Sequence, residues 1–94
     1  NAFIGNNPQQ RKHKEDVTMP ITIYAGAQLD GCQVKDYHWP ADTIVMVVCR
    51  GEEKIIPNGQ TKLLAGDTLI LRVNSAATRQ VYYKVTRAAH YAQG

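Results

Sequence analysis

The sequence has no long apolar run. Its longest, Ile44 to Cys49, has the length of a strand, whereas a bilayer span needs about 20 apolar residues. A self-sufficient transporter is therefore excluded. Cysteine is scarce: Cys32 and Cys49 stand alone, with no CxxC pair and no Cys/His cluster around them. That spacing gives no support to a zinc site and demands no disulfide, so a reducing, cytoplasmic setting is expected. Cys49, at the end of the apolar run, reads as a small buried hydrophobe. Serine occurs once, at Ser75, and no HExxH, GxSxG or phosphate-loop spacing occurs. Aromatics make up only 7 % of the chain and do not interleave with a basic stripe, which argues against a nucleic-acid surface.

What is present fits one small domain. The 94 residues have 44 % hydrophobic and 20 % charged side chains, an ordinary globular balance. The chain opens on Asn1 rather than Met, so it is expected to be a segment cut from a longer protein, with Asn1-Ala2 left by a vector. The net charge of +3 is unevenly spread. Residues 1–19 contribute +1 and residues 20–72 contribute −1; residues 73–94 contribute +3 from Arg79, Lys84 and Arg87, with no acid. Residues 1–19 are polar and charged, with Phe3, Ile4 and Val17 as their few apolar anchors, and are expected to be a tether. The folded domain is expected over 20–94.

Periodicity predicts the elements of that domain. Ile21, Ile23 and Ala25 alternate with polar positions, a strand that Gly26 ends. After the Leu29-Asp30-Gly31 turn, Cys32 to Tyr37 is predicted as a short helix with Val34 and Tyr37 inward, closed at Trp39-Pro40. Thr43 to Arg50 is β-branched and apolar on both faces, as a central strand is. Gly51 turns the chain into Lys54-Ile55-Ile56, which Pro57 ends; Asn58-Gly59 is a turn, and Lys62-Leu63-Leu64 a short strand or bridge. Thr68 to Val73 is a further strand. Asn74 or Ser75 then caps a helix from about Ala76 to Tyr91. Its apolar stripe is Ala77, Val81, Val85, Ala88 and Ala92, widened by Tyr82, Tyr83 and Tyr91. The fold class is α+β: a small, mainly antiparallel sheet with a short helix after its first strand and a C-terminal helix.

Catalytic candidates are few. His13 falls in the tether, His90 near the chain end, and His38 at a helix exit, where it reads as a partly buried structural histidine. Asp30 and Asp67 each neighbour a glycine in a turn, where aspartate bonds to local backbone, and Glu52-Glu53 is a solvated hairpin tip. The chain is not expected to be an enzyme or to hold a metal. What remains is a binding surface. The run Ile44 to Val48 and the tyrosine-rich helix are expected to leave apolar area for a dimer, with a ligand at the two-fold seam.

Between residues 20 and about 74 the sequence resembles a known family, the C-terminal subdomain of RCK modules, or TrkA-C domain. The matching features run in order: Leu29-x-Gly31, then Val34, Tyr37 and Trp39; an apolar strand ending in Arg50; Ile55-Ile56-Pro57; and a polar turn with Thr61 and Leu63. Gly66-Asp67-x-Leu69 then leads into the last strand. The terminal helix matches by position only. The resemblance implies a cytoplasmic regulatory domain of a membrane ion channel or transporter, dimerising and binding a small ligand, in a bacterial cell membrane. Trp39-Pro40, Arg50-Gly51-Glu52 and Ile55-Ile56-Pro57 look most like the versions appended to bacterial ClC-type chloride channels. Potassium uptake systems and cation/proton antiporters are the competing contexts, and a purely structural dimerisation domain the competing role.

Several members of that family bind cyclic di-AMP at the dimer interface, through apolar strand residues, an Asn-Ile pair and a proline. The resemblance carries these onto Thr43, Ile44, Ile56 and Pro57, with Arg50 as a candidate for the phosphates. The sequence departs from the pattern at Thr43, which replaces the asparagine, and in lacking the arginine that precedes the pair. Arg50, Lys54 and Arg72 are the residues that could supply the missing guanidinium or ammonium group.

Overall fold

The computed structural model describes residues 15–93. Four strands form one sheet: β1 (Asp16–Thr22), β2 (Thr43–Arg50), β3 (Glu53–Ile55) and β4 (Thr68–Asn74). Their order across the sheet is β1-β4-β2-β3, and every neighbouring pair is antiparallel. A 13-residue helix, α1 (Thr78–His90), follows β4 through a 3₁₀ turn at Ser75–Ala77. The Asn74 side chain caps that turn by accepting from the Ala76 N–H at 2.9 Å.

β1 begins at Asp16, ahead of the expected start near Pro20, and ends at Thr22 rather than Ala25. The ladder to β4 explains the shift. It runs from Asp16↔Asn74 to Thr22↔Thr68, so Asp16 to Met19, expected in the tether, pair with Leu71 to Asn74. The remainder of that tether, residues 1–14, lies outside the described residues. Pro20 is tolerated inside the strand because β1 is an edge, with no second ladder to lose. Beyond Thr22 the backbone stays anchored: Ile23 donates to Asp67 and accepts from Gly66, each at 2.8 Å.

The core lies on one face of the sheet. Met19 and Ile21 of β1, Leu69, Leu71 and Val73 of β4 and Val48 of β2 bury against Val81, Val85, Ala88 and Ala89 of α1, with Ile23, Leu29, Tyr37 and Leu63 closing the ends. Tyr82, Tyr83 and Tyr91 do not widen the helix's buried stripe as expected; all three are exposed, and so is Ala92. The small residues Ala88 and Ala89 instead let the helix end approach the loop after β1. Tyr24, Leu29 and Gln28 of that loop donate backbone N–H groups to the carbonyls of Ala89, Ala88 and Tyr91 at 2.7–3.0 Å. These bonds satisfy carbonyls that a helix C-terminus otherwise leaves open. Tyr24 also stacks on His90 with ring centroids 3.8 Å apart.

The predicted helix at 32–37 is a single 3₁₀ turn, Val34–Asp36. Its N–H groups go elsewhere: Val34 donates to Thr61 and Lys35 to Gly59, while Gln33 forms a bridge with Lys62. Trp39 Nε1 closes the turn on the Val34 carbonyl at 2.8 Å, and its ring meets Tyr37 edge-on. His38, expected to be partly buried, points to solvent. The β2–β3 hairpin turns on Gly51, whose φ of +60° suits the first loop position of a two-residue hairpin. The third strand ends at Ile55, one residue before the prediction.

Asp67 is the buried charge on which this arrangement rests. Only 1 % of it is exposed. Its two oxygens accept from Arg50 Nε at 2.9 Å and Nη2 at 2.8 Å, and Oδ2 also accepts from the Leu64 N–H at 2.9 Å. Arg50 Nη2 donates in turn to the Lys62 carbonyl at 2.9 Å. Burial pushes the Asp67 carboxyl up. The Arg50 hydrogen bond, the Leu64 N–H and the guanidinium charge together outweigh it and hold the group below its ordinary value of 3.8.

Asp67→Asn leaves Arg50 facing a neutral amide, and should cost about 2–3 kcal/mol in urea unfolding, less than a fully buried pair because Arg50 is part-exposed. The depressed carboxyl also gives the native protein a stability increment that is complete above 3.8 and is lost as the pH falls toward the lower folded value. Unfolding curves on the acid side should show that loss in the parent chain and a flatter profile in Asp67→Asn.

Candidate functional site

The face of the sheet away from α1 carries the candidate site. Register partners in an antiparallel sheet share a face. Ile44 stands opposite Arg72, Val47 opposite Ile70, and Ile70 opposite Pro20, while Cys49 stands opposite Thr68. These positions alternate with the buried Leu69, Leu71 and Val73. β2 is apolar on both faces, yet α1 covers only one. A bulge at Met46, between Val45 and Val47, keeps Ile44 and Val47 on the same open face. Ile44 is 60 % exposed, and Val47, Cys49 and Ile70 are half-buried.

At the start of β2 the chain turns through Asp42, the one non-glycine residue among those described with a left-handed backbone, at φ +61°. Asp42 accepts from the Asn74 N–H, and Thr43 donates its hydroxyl to the Ala41 carbonyl at 3.2 Å. This corner and the facing end of β4 enclose a cavity of about 340 Å³, lined by Asp16, Asp42, Thr43, Ile44, Arg72 and Asn74. Arg72 Nε pairs with Asp16 at 3.2 Å, and both side chains are about half exposed.

The structure therefore brings Thr43 and Ile44 together, and adds Arg72 beside them. It sets Arg50 apart: that side chain stands at the far end of β2, with Nε and Nη2 committed to Asp67 and Lys62. Ile56 and Pro57 follow the last paired residue of β3 and do not line the cavity. Alternation from Lys54 and Cys49 places Ile56 on the open face with Ile44, and it is 76 % exposed.

No group of three metal-ligating side chains occurs among the described residues. The Cys32 thiol is pushed up by burial and by the Asp36 charge, and it donates to the Gln33 carbonyl, which makes it a poor nucleophile. Cys49, expected to be buried, is half-exposed on the open face. No described helix is long and apolar enough to cross a membrane.

Comparison with known proteins gives the relationship. A family model, the TrkA-C domain, matches residues 19–84. A solved structure described as "Structure of RCK domain with cda" superimposes with a TM-score of 0.61 at 22 % identity, covering 71 % of this chain and 94 % of that one. At that identity the likeness is one of fold. No curated protein matches the chain.

The Arg72–Asp16 pair is exposed and mutually neutralising, so Arg72→Ala should change unfolding free energy by no more than about 0.5–1 kcal/mol. A larger loss in urea titration would mean that Arg72 is a structural residue rather than one free to meet a ligand.

Proposed function

The chain belongs to the TrkA-C domain family, whose members are generally regulatory, ligand-binding parts of ion transport systems, and we propose that it is the dimerising sensor domain of a bacterial ClC-type chloride channel. The carrying observation is the open sheet face. Ile44, Val47, Ile70, Pro20 and Ile56 form an apolar surface that none of the other described residues covers, and a second copy set against it buries the same residues twice. The ClC assignment rests on Trp39-Pro40, Arg50-Gly51-Glu52 and Ile55-Ile56-Pro57, and on a polar stretch before β1 suited to join a membrane domain. A potassium uptake system or cation/proton antiporter is the alternative context. Family members are typically cytoplasmic parts of their transport systems, and we assign this domain the same side of the membrane.

The ligand reading follows from the cavity at Thr43 and Ile44. Cyclic di-AMP carries two phosphates, and the departure from the family pattern removes the arginine that would meet them. Arg72, opposite Ile44 on β4 and lining the same cavity, is the guanidinium we assign to the phosphates in its stead. It can form charge-assisted, two-pronged bonds to phosphate once Asp16 releases it. Ile44 and Ile56 offer apolar contact for the bases. Ligand that fits one arrangement of two such domains better than another would bias the attached membrane domain by population shift.

The competing role is assembly without a ligand, favoured by Thr43 in place of asparagine and by the Asp16 carboxylate already on Arg72. Calorimetric titration with cyclic di-AMP separates the two. The sensor reading expects saturable heat, a rise in melting temperature with ligand, and about tenfold weaker binding in Arg72→Ala. No heat at high micromolar ligand eliminates it and leaves assembly. Sedimentation tests the dimer separately: Ile44→Glu should shift the chain to monomer, and a parent chain that stays monomeric at high concentration overturns the dimer for both readings.

A further inference from the structure

A second cavity, of about 690 Å³, shares no residue with the one at Thr43 and Ile44. It lies between the exit of the 3₁₀ turn and the last turns of α1. The helix wall presents Tyr83, Lys84 and Arg87, the opposite wall Tyr37 and His38, and Tyr91 closes one end. Lys84 and Arg87 are three residues apart on the helix and share a face. Arg87 also lies over the Tyr83 ring, 6.0 Å from its centroid.

Packing does not account for these tyrosines. Tyr83 lies on the side of α1 away from its buried stripe and Tyr91 just past the helix end, and each is 66 % exposed. A volume of this size falls within the range of about 300–1,000 Å³ usual for small-molecule sites. We infer that the groove binds a small anionic ligand carrying a planar ring, with Lys84 and Arg87 taking the anion and Tyr83 and Tyr91 the ring.

Two features oppose an anion here, and the structure answers both. Asp36 lines the cavity, but it is a single acid against two permanent cations. The carbonyl end of a helix repels negative charge, but the carbonyls of Arg87 and Ala88 already accept from the N–H groups of Tyr91 and Leu29. The Gln28 N–H likewise covers the Tyr91 carbonyl at 2.8 Å. These bonds fix the helix end against the loop after β1, and the buried Tyr37 anchors the opposite wall, so the groove is formed before any ligand arrives. This site depends on neither the dimer nor the Thr43–Ile44 cavity.

The test uses the isotopically labelled chain in NMR titrations with AMP, adenosine and inorganic phosphate at constant ionic strength. AMP should give saturating shifts at His38, Tyr83, Lys84 and Arg87, with adenosine and phosphate each about tenfold or more weaker. Lys84→Gln with Arg87→Gln should weaken AMP about tenfold without moving the melting temperature, since both side chains are exposed. Tyr83→Leu should weaken AMP while leaving phosphate unchanged. Shifts as large with phosphate as with AMP, shifts centred on Thr43 and Ile44, or no saturation would each overturn the proposal.

Discussion

The contact between Arg50 and Asp67 holds four stretches of chain in one place. Asp67 begins at the mouth of β4, Arg50 ends β2, and the guanidinium reaches on to the Lys62 carbonyl while the carboxylate reaches back to the Leu64 N–H. The Asp67 backbone carbonyl takes the Ile23 N–H as β1 leaves the sheet. A carboxylate this buried is tolerable only because charged and backbone donors surround it. Once it is satisfied, the 61–64 segment is fixed, and Thr61 and Gly59 can in turn hold the 3₁₀ turn at Val34–Asp36.

That demand also decides which arginine is free. A guanidinium spent on a buried carboxylate is structural, whatever its place in a motif. Arg50 is such a group, and Arg72, half exposed and paired among the described residues with Asp16, is not. The two side chains sit on neighbouring strands, yet one secures the hairpin and the other faces the cavity beside Ile44. The arginine left with an exposed guanidinium stands beside the beginning of β2, not at its end.

The two ends of the domain differ in chemistry for a related reason. The open sheet face is apolar around Ile44, Val47 and Ile70 because β2 is apolar on both sides while one helix can cover only one. The far groove is basic and aromatic because α1 spends its small residues on the approach to the loop after β1 and sends its long ones outward. Lys84, Arg87 and Tyr83 are left on the solvent side of a helix whose inner stripe is narrow.

The sequence by itself determined the strands and the terminal helix as types of element. The bounds of β2 were legible to the residue, because a β-branched run closed by Gly51 has only one reading. A cap at Asn74 or Ser75 and Val81, Val85 and Ala88 as the helix's inward face were legible from spacing, and Pro57 and Gly66 marked the turns. Tertiary structure alone decided what these residues do to one another. β2 and β4 are partners across an intervening strand, so Arg72 opposite Ile44 could not be read from neighbours in the chain. β1 starts at Asp16 because β4 is long enough to pair with it, although its polar residues look like tether. The helix at 32–37 gives way to one turn because carbonyls from residues 59 and 61 compete for its N–H groups. The physical reason is common to all three: periodicity reports which face of a segment is apolar, whereas ladders, ion pairs and capping bonds depend on which segment arrives opposite.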